Sequence, residues 1–164
     1  MTMSETERPR KAPRVFLVVV DESVEMPVAL YYAGRRALRT GGRVALLRVI
    51  QPDEGHDLMS IVELIREEKR QEAEQLLQRL AKTVVEETGT LPVLYLREGS
   101  AREELINLIN EDPTISILVL AAGTGPEGPG PLVSHLAGKA AAKMRIPVTI
   151  VPGNLTREQI DAIG

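Results

Sequence analysis

Small and conformationally permissive residues are concentrated in one run, Ala121-Ala122-Gly123-Thr124-Gly125-Pro126-Glu127-Gly128-Pro129-Gly130-Pro131, between the apolar segment Ile115–Leu120 and Leu132-Val133-Ser134. Bare backbone between a strand and a helix can wrap an anion, because the first helical N–H groups are unpaired and carry the positive end of the helix dipole. Gly123, Thr124, Gly125, Gly128 and Gly130, with Ser134 as a hydroxyl at the helix start, are therefore candidate contacts for a phosphate-bearing ligand. A second chemical feature ends another apolar run, where Val18-Val19-Val20 leads into Asp21-Glu22-Ser23. A carboxylate there can accept from sugar hydroxyls while backbone N–H groups receive phosphate. The plainer role for Asp21 and Ser23 is helix capping, and the plainer role for the glycine run is a surface loop.

Other chemistries are poorly supported. Gly123-Thr124-Gly125-Pro126-Glu127-Gly128 satisfies G-x-G-x-x-G, but that fingerprint belongs after the first strand of a dinucleotide fold, not after the fourth. Gly138-Lys139 imitates the end of a Walker loop. However, Val133 stands where its first glycine belongs, and Ala140 where its magnesium-binding hydroxyl belongs. His56 and His135 lie on separate segments without a ligand-type partner. Ser134 and His135 are neighbours and point apart on a helix, so they form no dyad. Lys139 and Lys143 share a helix face and are read as solvated, with Lys139 within reach of a phosphate. No general base or metal cluster is poised for turnover, so a binding or signalling module is expected rather than an enzyme.

Composition narrows the class further. The chain has 164 residues, 43% of them hydrophobic, with 20 basic residues against 23 acidic and a net charge of −3. This suits one domain with one sizeable core. Without a basic excess, and with Phe16, Tyr31, Tyr32 and Tyr95 as its only aromatics, the chain is not expected to bind nucleic acid. The absence of cysteine excludes disulfides and thiolate chemistry and fits a cytoplasmic setting. Residues 1–13 are polar and are read as a disordered tail rather than a secretory signal. No apolar run is long enough for a membrane span.

The elements that must position the two features alternate along the chain. Arg14–Val20 is an apolar, β-branched strand of the kind buried on both faces of a parallel sheet. A helix over about Val24–Thr40, closed by Gly41-Gly42, precedes a second strand, Arg43–Ile50. After a loop over residues 51–57, a long helix over about Leu58–Glu87 carries an apolar stripe (Ile61, Leu64, Ile65, Leu76, Leu77, Leu80, Val84) and a polar middle, Glu67–Glu72, read as a break or a solvated face. Pro92–Arg97 is the third strand, Ser100 and Glu103 form a capping box opening a helix through Asn110, and Ile115–Leu120 is the fourth strand. A helix over about Leu132–Arg145 leads to the fifth strand, Ile146–Val151, and Thr156–Ile163 suggests a terminal helix. This is an α/β pattern, a parallel doubly wound sheet. In the order 3-2-1-4-5, its ligand crevice falls between the loops after the first and fourth strands. Pro147 lacks an N–H donor and puts the fifth strand at a sheet edge, which needs covering. Pairing of Pro147, Val148, Thr149, Ile150 and Val151 with a second copy would cover it.

Val18-Val19-Val20-Asp21-Glu22-Ser23, the late Ala-Gly-Thr-Gly loop and the closing Ile146-Pro147-Val148-Thr149-Ile150-Val151 together resemble the universal stress protein family over about Arg14–Val151. The resemblance implies a five-stranded parallel sheet in the order 3-2-1-4-5, helices on both faces, and dimerisation through the last strand. It also implies, in many members, ATP binding. Residues 14–152 would form that domain, with 153–164 as a tail carrying a short helix. The family's ATP-binding pattern, G-x-x-G, nine residues, then Gly with Ser or Thr, is matched in spacing by Gly125, Gly128 and Gly138, with Lys139 replacing the hydroxyl residue. Counting back from Pro147 instead starts the last helix near Leu132–Ser134, gives a shorter loop, and makes Gly138 an interior helix residue. ATP, ADP or AMP is then the implied ligand, with Asp21 on ribose, the backbone near Val49 at the base, the glycines on phosphate, and Mg only together with a nucleotide. The resemblance permits at most a weak ATPase. The alternative is a dimer without nucleotide that acts through protein partners on the long helix.

Overall fold

A computed structural model of the chain describes residues 12–52 and 58–164. Most of the expected N-terminal tail, residues 53–57 of the loop, and His56 lie outside the described residues. The elements are β1 (Val15–Val19), α1 (Met26–Thr40), β2 (Arg43–Ile50), α2 (Met59–Thr88), β3 (Val93–Glu98), α3 (Ala101–Glu111), β4 (Ile117–Ala122), α4 (Pro131–Leu136), β5 (Val148–Pro152) and α5 (Arg157–Ile163). The five strands form one sheet in the order β3-β2-β1-β4-β5, all pairs parallel.

Strand alternation builds two cores. From β1, Val15, Leu17 and Val19 face Leu105, Leu108, Ile109 and Leu136 of α3 and α4. Phe16 and Val18 face Ala29, Leu30, Ala33 and Ala37 of α1 and Leu77 and Val84 of α2. All five β1 residues are buried, which is why the run reads as continuously apolar rather than alternating.

Element types follow the sequence pattern, and several details depart from it. β4 starts two residues later than expected, at Ile117; just before it Ser116 N–H donates to Val15 O at 3.0 Å and Val15 N–H donates to Ser116 Oγ at 3.1 Å. The α2 helix is unbroken, and its first half stands clear of the sheet. Ile61 and Leu64, assigned to the apolar stripe, are 40% and 59% exposed. The capping box expected at Ser100 does not form. Ser100 is the N-cap without a side-chain hydrogen bond, and its expected partner Glu103 is exposed. A capping box forms instead at α5, between Thr156 and Gln159. The single helix expected over about 132–145 is two pieces. Gly138 (φ −93°, ψ −142°) leaves helical conformation between α4 and a 3-10 turn over Lys139–Lys143, so it is not an interior helix residue.

Two side-chain clusters hold the periphery. Arg145 caps the C-terminal end of α3: its Nη2 donates to the carbonyls of Ile109 (2.8 Å), Asp112 (3.1 Å) and Ile115 (3.0 Å). The neighbouring Tyr95 hydroxyl donates to Asp112. Burial and that hydrogen bond push the Tyr95 phenol up to about 12, and hydrogen bonds from Thr114 and Tyr95 hold the Asp112 carboxyl below its ordinary range. On the other face α5 docks on α1, where Asp161 accepts from Tyr31 at 2.7 Å and pairs with Arg35 at 3.0 Å. Arg145 serves three carbonyls from one planar fork, a geometry lysine cannot reproduce. Arg145→Met is expected to cost about 2 kcal/mol in urea unfolding, with Arg145→Lys recovering the smaller part.

Candidate functional site

The chain leaves β1 toward α1 and leaves β4 toward α4, on opposite faces of the sheet. The loops after β1 and β4 therefore diverge and open a crevice at the carboxyl ends of the strands. After β1, Asp21 Oδ1 accepts from Ser23 N–H at 2.9 Å and from Ser23 Oγ at 2.5 Å. This closes an Asx turn that fixes the carboxylate and leaves its other oxygen without a partner among the described residues. Helix α1 begins only at Met26, with Glu25 as N-cap, so Ser23 is not its cap.

After β4 the glycine run folds back on itself. Gly123 N–H donates to Pro129 O at 3.1 Å and Gly128 N–H to Gly125 O at 3.2 Å. Gly130 adopts φ +104°, a conformation that favours glycine, and so aims the chain into α4. Pro131 opens that helix, and no side chain caps it. The N–H groups of Leu132 and Val133, in its first turn, therefore have neither an intrahelical nor a side-chain partner.

Between these segments lies a cleft of about 860 Å³ whose walls include Asp21, Ser23, Val49, Gly130, Leu132 and Val133. Of the residues singled out from the sequence, Asp21, Ser23, Val49 and Gly130 come together here. Gly123, Thr124, Gly125 and Gly128 form the turn beyond this wall, with Thr124 and Gly125 exposed. Ser134 lies within α4 rather than at its start; it is exposed, and its N–H is bonded to Gly130 O at 2.9 Å.

Three cations also line the cleft, and the sequence reading did not assign them to it: Arg48, Lys69 and Arg79. Arg48 Nη1 donates to Val20 O at 3.2 Å, while its Nε is buried without a hydrogen-bond partner. Its signal in the sequence was a lone charge inside the apolar run Val44–Ile50. Lys69 donates to Gln51 O at 3.3 Å. With Glu72, it shows that the polar middle of α2 overhangs the cleft rather than facing solvent alone. Lys139 and Lys143 do not line it. The described residues hold no group of three or more potential metal ligands.

Glu25 completes the rim. It lines the cleft half-buried and lies against both the glycine turn and the segment after β5. A Cβ on Gly123 would lie 3.4 Å from Glu25 Oε1, and one on Gly153 would lie 2.7 Å from the Glu25 Cβ. At the far side of the sheet β5 pairs only with β4. It begins at Val148, with Pro147 just before it, and Ile150 is 38% exposed.

Residues 13–152 match the Universal stress protein family, and the chain belongs to that family. No curated protein sequence matches it. Among solved structures it is similar to the universal stress protein UspA from Lactobacillus plantarum, with 17% identity and TM-score 0.72 over 87% of this chain and 99% of that one. It is also similar to a universal stress protein in complex with cAMP (17% identity, TM-score 0.56, 88% of this chain and 100% of that one). A third similar structure is the universal stress protein from Archaeoglobus fulgidus in complex with dAMP (16% identity, TM-score 0.57, 86% and 99%). These likenesses show the shared fold.

The packing around Glu25 has a direct test. A Cβ on Gly153 would also stand 2.4 Å from Ala122 O, whereas one on Gly125 meets nothing within 4 Å. Gly153→Ala should lower stability by about 1–3 kcal/mol through overpacking. Gly125→Ala should stay within about 0.5 kcal/mol of the parent. Urea unfolding midpoints of the two variants check this.

Proposed function

We propose that the chain is an adenine-nucleotide-binding module of stress response or signalling, working as a cytoplasmic homodimer. The observation that carries this is the cleft itself, where an ordered carboxylate, unpaired helix-start N–H groups and a guanidinium converge at the switch point of a doubly wound sheet. Asp21 takes the ribose hydroxyls through its free carboxylate oxygen. The backbone near Val49 meets the base. Gly130 and the N–H groups of Leu132 and Val133, assisted by Arg48, receive the first phosphate. The 123–128 turn frames that end of the cleft. The complexes of similar proteins with cAMP and dAMP support an adenine nucleotide over other anions. Magnesium enters this reading only as a companion of bound phosphates, and the activity assigned is binding, with turnover at most that of a weak ATPase.

Calorimetric titration with AMP, ADP and ATP tests the assignment. At least one should bind, and Asp21→Asn should weaken it about tenfold, the loss of a charged hydrogen bond. Silence toward all three removes the nucleotide reading. One observation favours the alternative, a module acting through protein partners: Leu58, Met59, Ile61 and Leu64 cluster exposed at the start of α2, the helix to which that reading assigns the contact.

The homodimer is proposed through β5, whose outer edge offers unpaired main chain beside Ile150. Light scattering should return about twice the 18.0 kDa chain mass at micromolar concentration. Ile150→Glu should return the single-chain mass, because two like charges would then meet across the two-fold axis. A wild-type chain that scatters as a monomer ends the dimer proposal.

A further inference from the structure

We infer that the Glu25 carboxylate makes this cleft select a nucleoside monophosphate and turn polyphosphates away, an inference that rests on the adenine-nucleotide reading above. With the sugar at Asp21 and the first phosphate at Gly130–Val133, further phosphates must run along the turn formed by residues 123–129. That turn offers them only part of its main chain. Its Gly123 and Gly128 N–H groups are already spent on Pro129 O and Gly125 O, at 3.1 and 3.2 Å. Against it stands Glu25, with Oε1 3.4 Å from where a Gly123 Cβ would be.

The root of the Glu25 side chain is held in place. Glu25 is the N-cap of α1 and is backed by the close approach of Gly153. Among the described residues no Lys, Arg or His forms an ion pair with it. The cleft's cations rise instead from β2 and α2, and Arg48 and Lys69 are tied there to the carbonyls of Val20 and Gln51. A second or third phosphate would therefore meet a half-buried anion with no counter-charge between them, and the two like charges repel. A single phosphate ends before this point.

The test titrates AMP, ADP and ATP, each with and without Mg²⁺, into the full chain and into its Glu25→Gln variant, which preserves side-chain volume. The wild type should bind AMP about tenfold or more tightly than ATP, and Glu25→Gln should move the ATP-to-AMP affinity ratio about tenfold toward ATP. A wild type that binds ATP or Mg·ATP as tightly as AMP overturns the selection and leaves the nucleotide reading standing. An unchanged ratio in the variant overturns the part assigned to Glu25. Silence toward every nucleotide overturns the nucleotide reading, and the selection falls with it.

Discussion

Strand β1 lies at the centre of the sheet, paired to β2 on one side and β4 on the other, and the cleft exists because of that position. The chain winds outward from β1 through β2 to β3, then returns to add β4 and β5 on the opposite side. At that reversal the two outgoing loops turn to opposite faces, and no helix crosses the gap between them. Burial holds β1 there. Phe16, Leu17 and Val18 are at most 1% exposed, and each such side chain contributes about 1.5–3 kcal/mol. Because Leu17 belongs to one core and Phe16 and Val18 to the other, a one-residue slip would exchange the two cores. Asp21 is thus placed by the strand that the fold can least move.

The same alternation explains the charges in the cleft. In β2, Val44 and Leu46 face α1 and α2, while Ala45, Leu47 and Val49 face α3 and α4. Arg48 continues the first set, so its side chain emerges beneath α2 beside the crevice. There its guanidinium donates to Val20 O, which ties β2 to the end of β1. A guanidinium half-shielded from water interacts with an anion more strongly than one in bulk solvent. The polar middle of α2 has the same logic. A stretch too polar to pack on the sheet can still overhang it, and Lys69, Glu72 and Arg79 do so.

The fold was legible because its signals are cooperative. An uninterrupted apolar β1, five strands separated by helical stretches, and Pro147 beside β5 all point to one parallel sheet, and local errors of two residues at β4 leave the topology unchanged. The crevice could be placed in the sequence beside Asp21, Ser23, Val49 and Gly130 because the loops at a switch point are fixed by topology. It was less legible within the glycine run. Composition reports that Gly123–Gly128 can bend, but not that the Gly123 and Gly128 N–H groups bond back onto carbonyls of the same run. Gly138 misled for a related reason: the penalty for glycine inside a helix is only about 1 kcal/mol, too small to decide from sequence whether the helix continues or breaks. Arg48 and Glu25 passed as ordinary strand and helix residues, since each meets a partner segment remote in sequence, Val20 for one and Gly123 with Gly153 for the other.

A carboxylate with no ion-pair partner among the described residues, at the rim of a cleft, needs a reason to be tolerable, and the position of Glu25 in α1 supplies it. As N-cap of a 15-residue helix, Glu25 sits at the positive end of the α1 dipole, where a negative charge is worth about 0.3–1 kcal/mol. Pro27 leaves one fewer amide in the first turn, so the charge acts on the dipole as a whole more than on any single N–H. The fold thus stabilises one anion at this corner, and α1 has already provided it. A phosphate placed beside it would compete for the same field with one more charge to desolvate. The start of α4 is different: neither helix has a side-chain cap hydrogen bond, but α4 has glycine at its N-cap and no acidic residue in its first turn. Two helix starts meet at one crevice, one already supplied with an anion and one left open, and this asymmetry gives a bound phosphate its place.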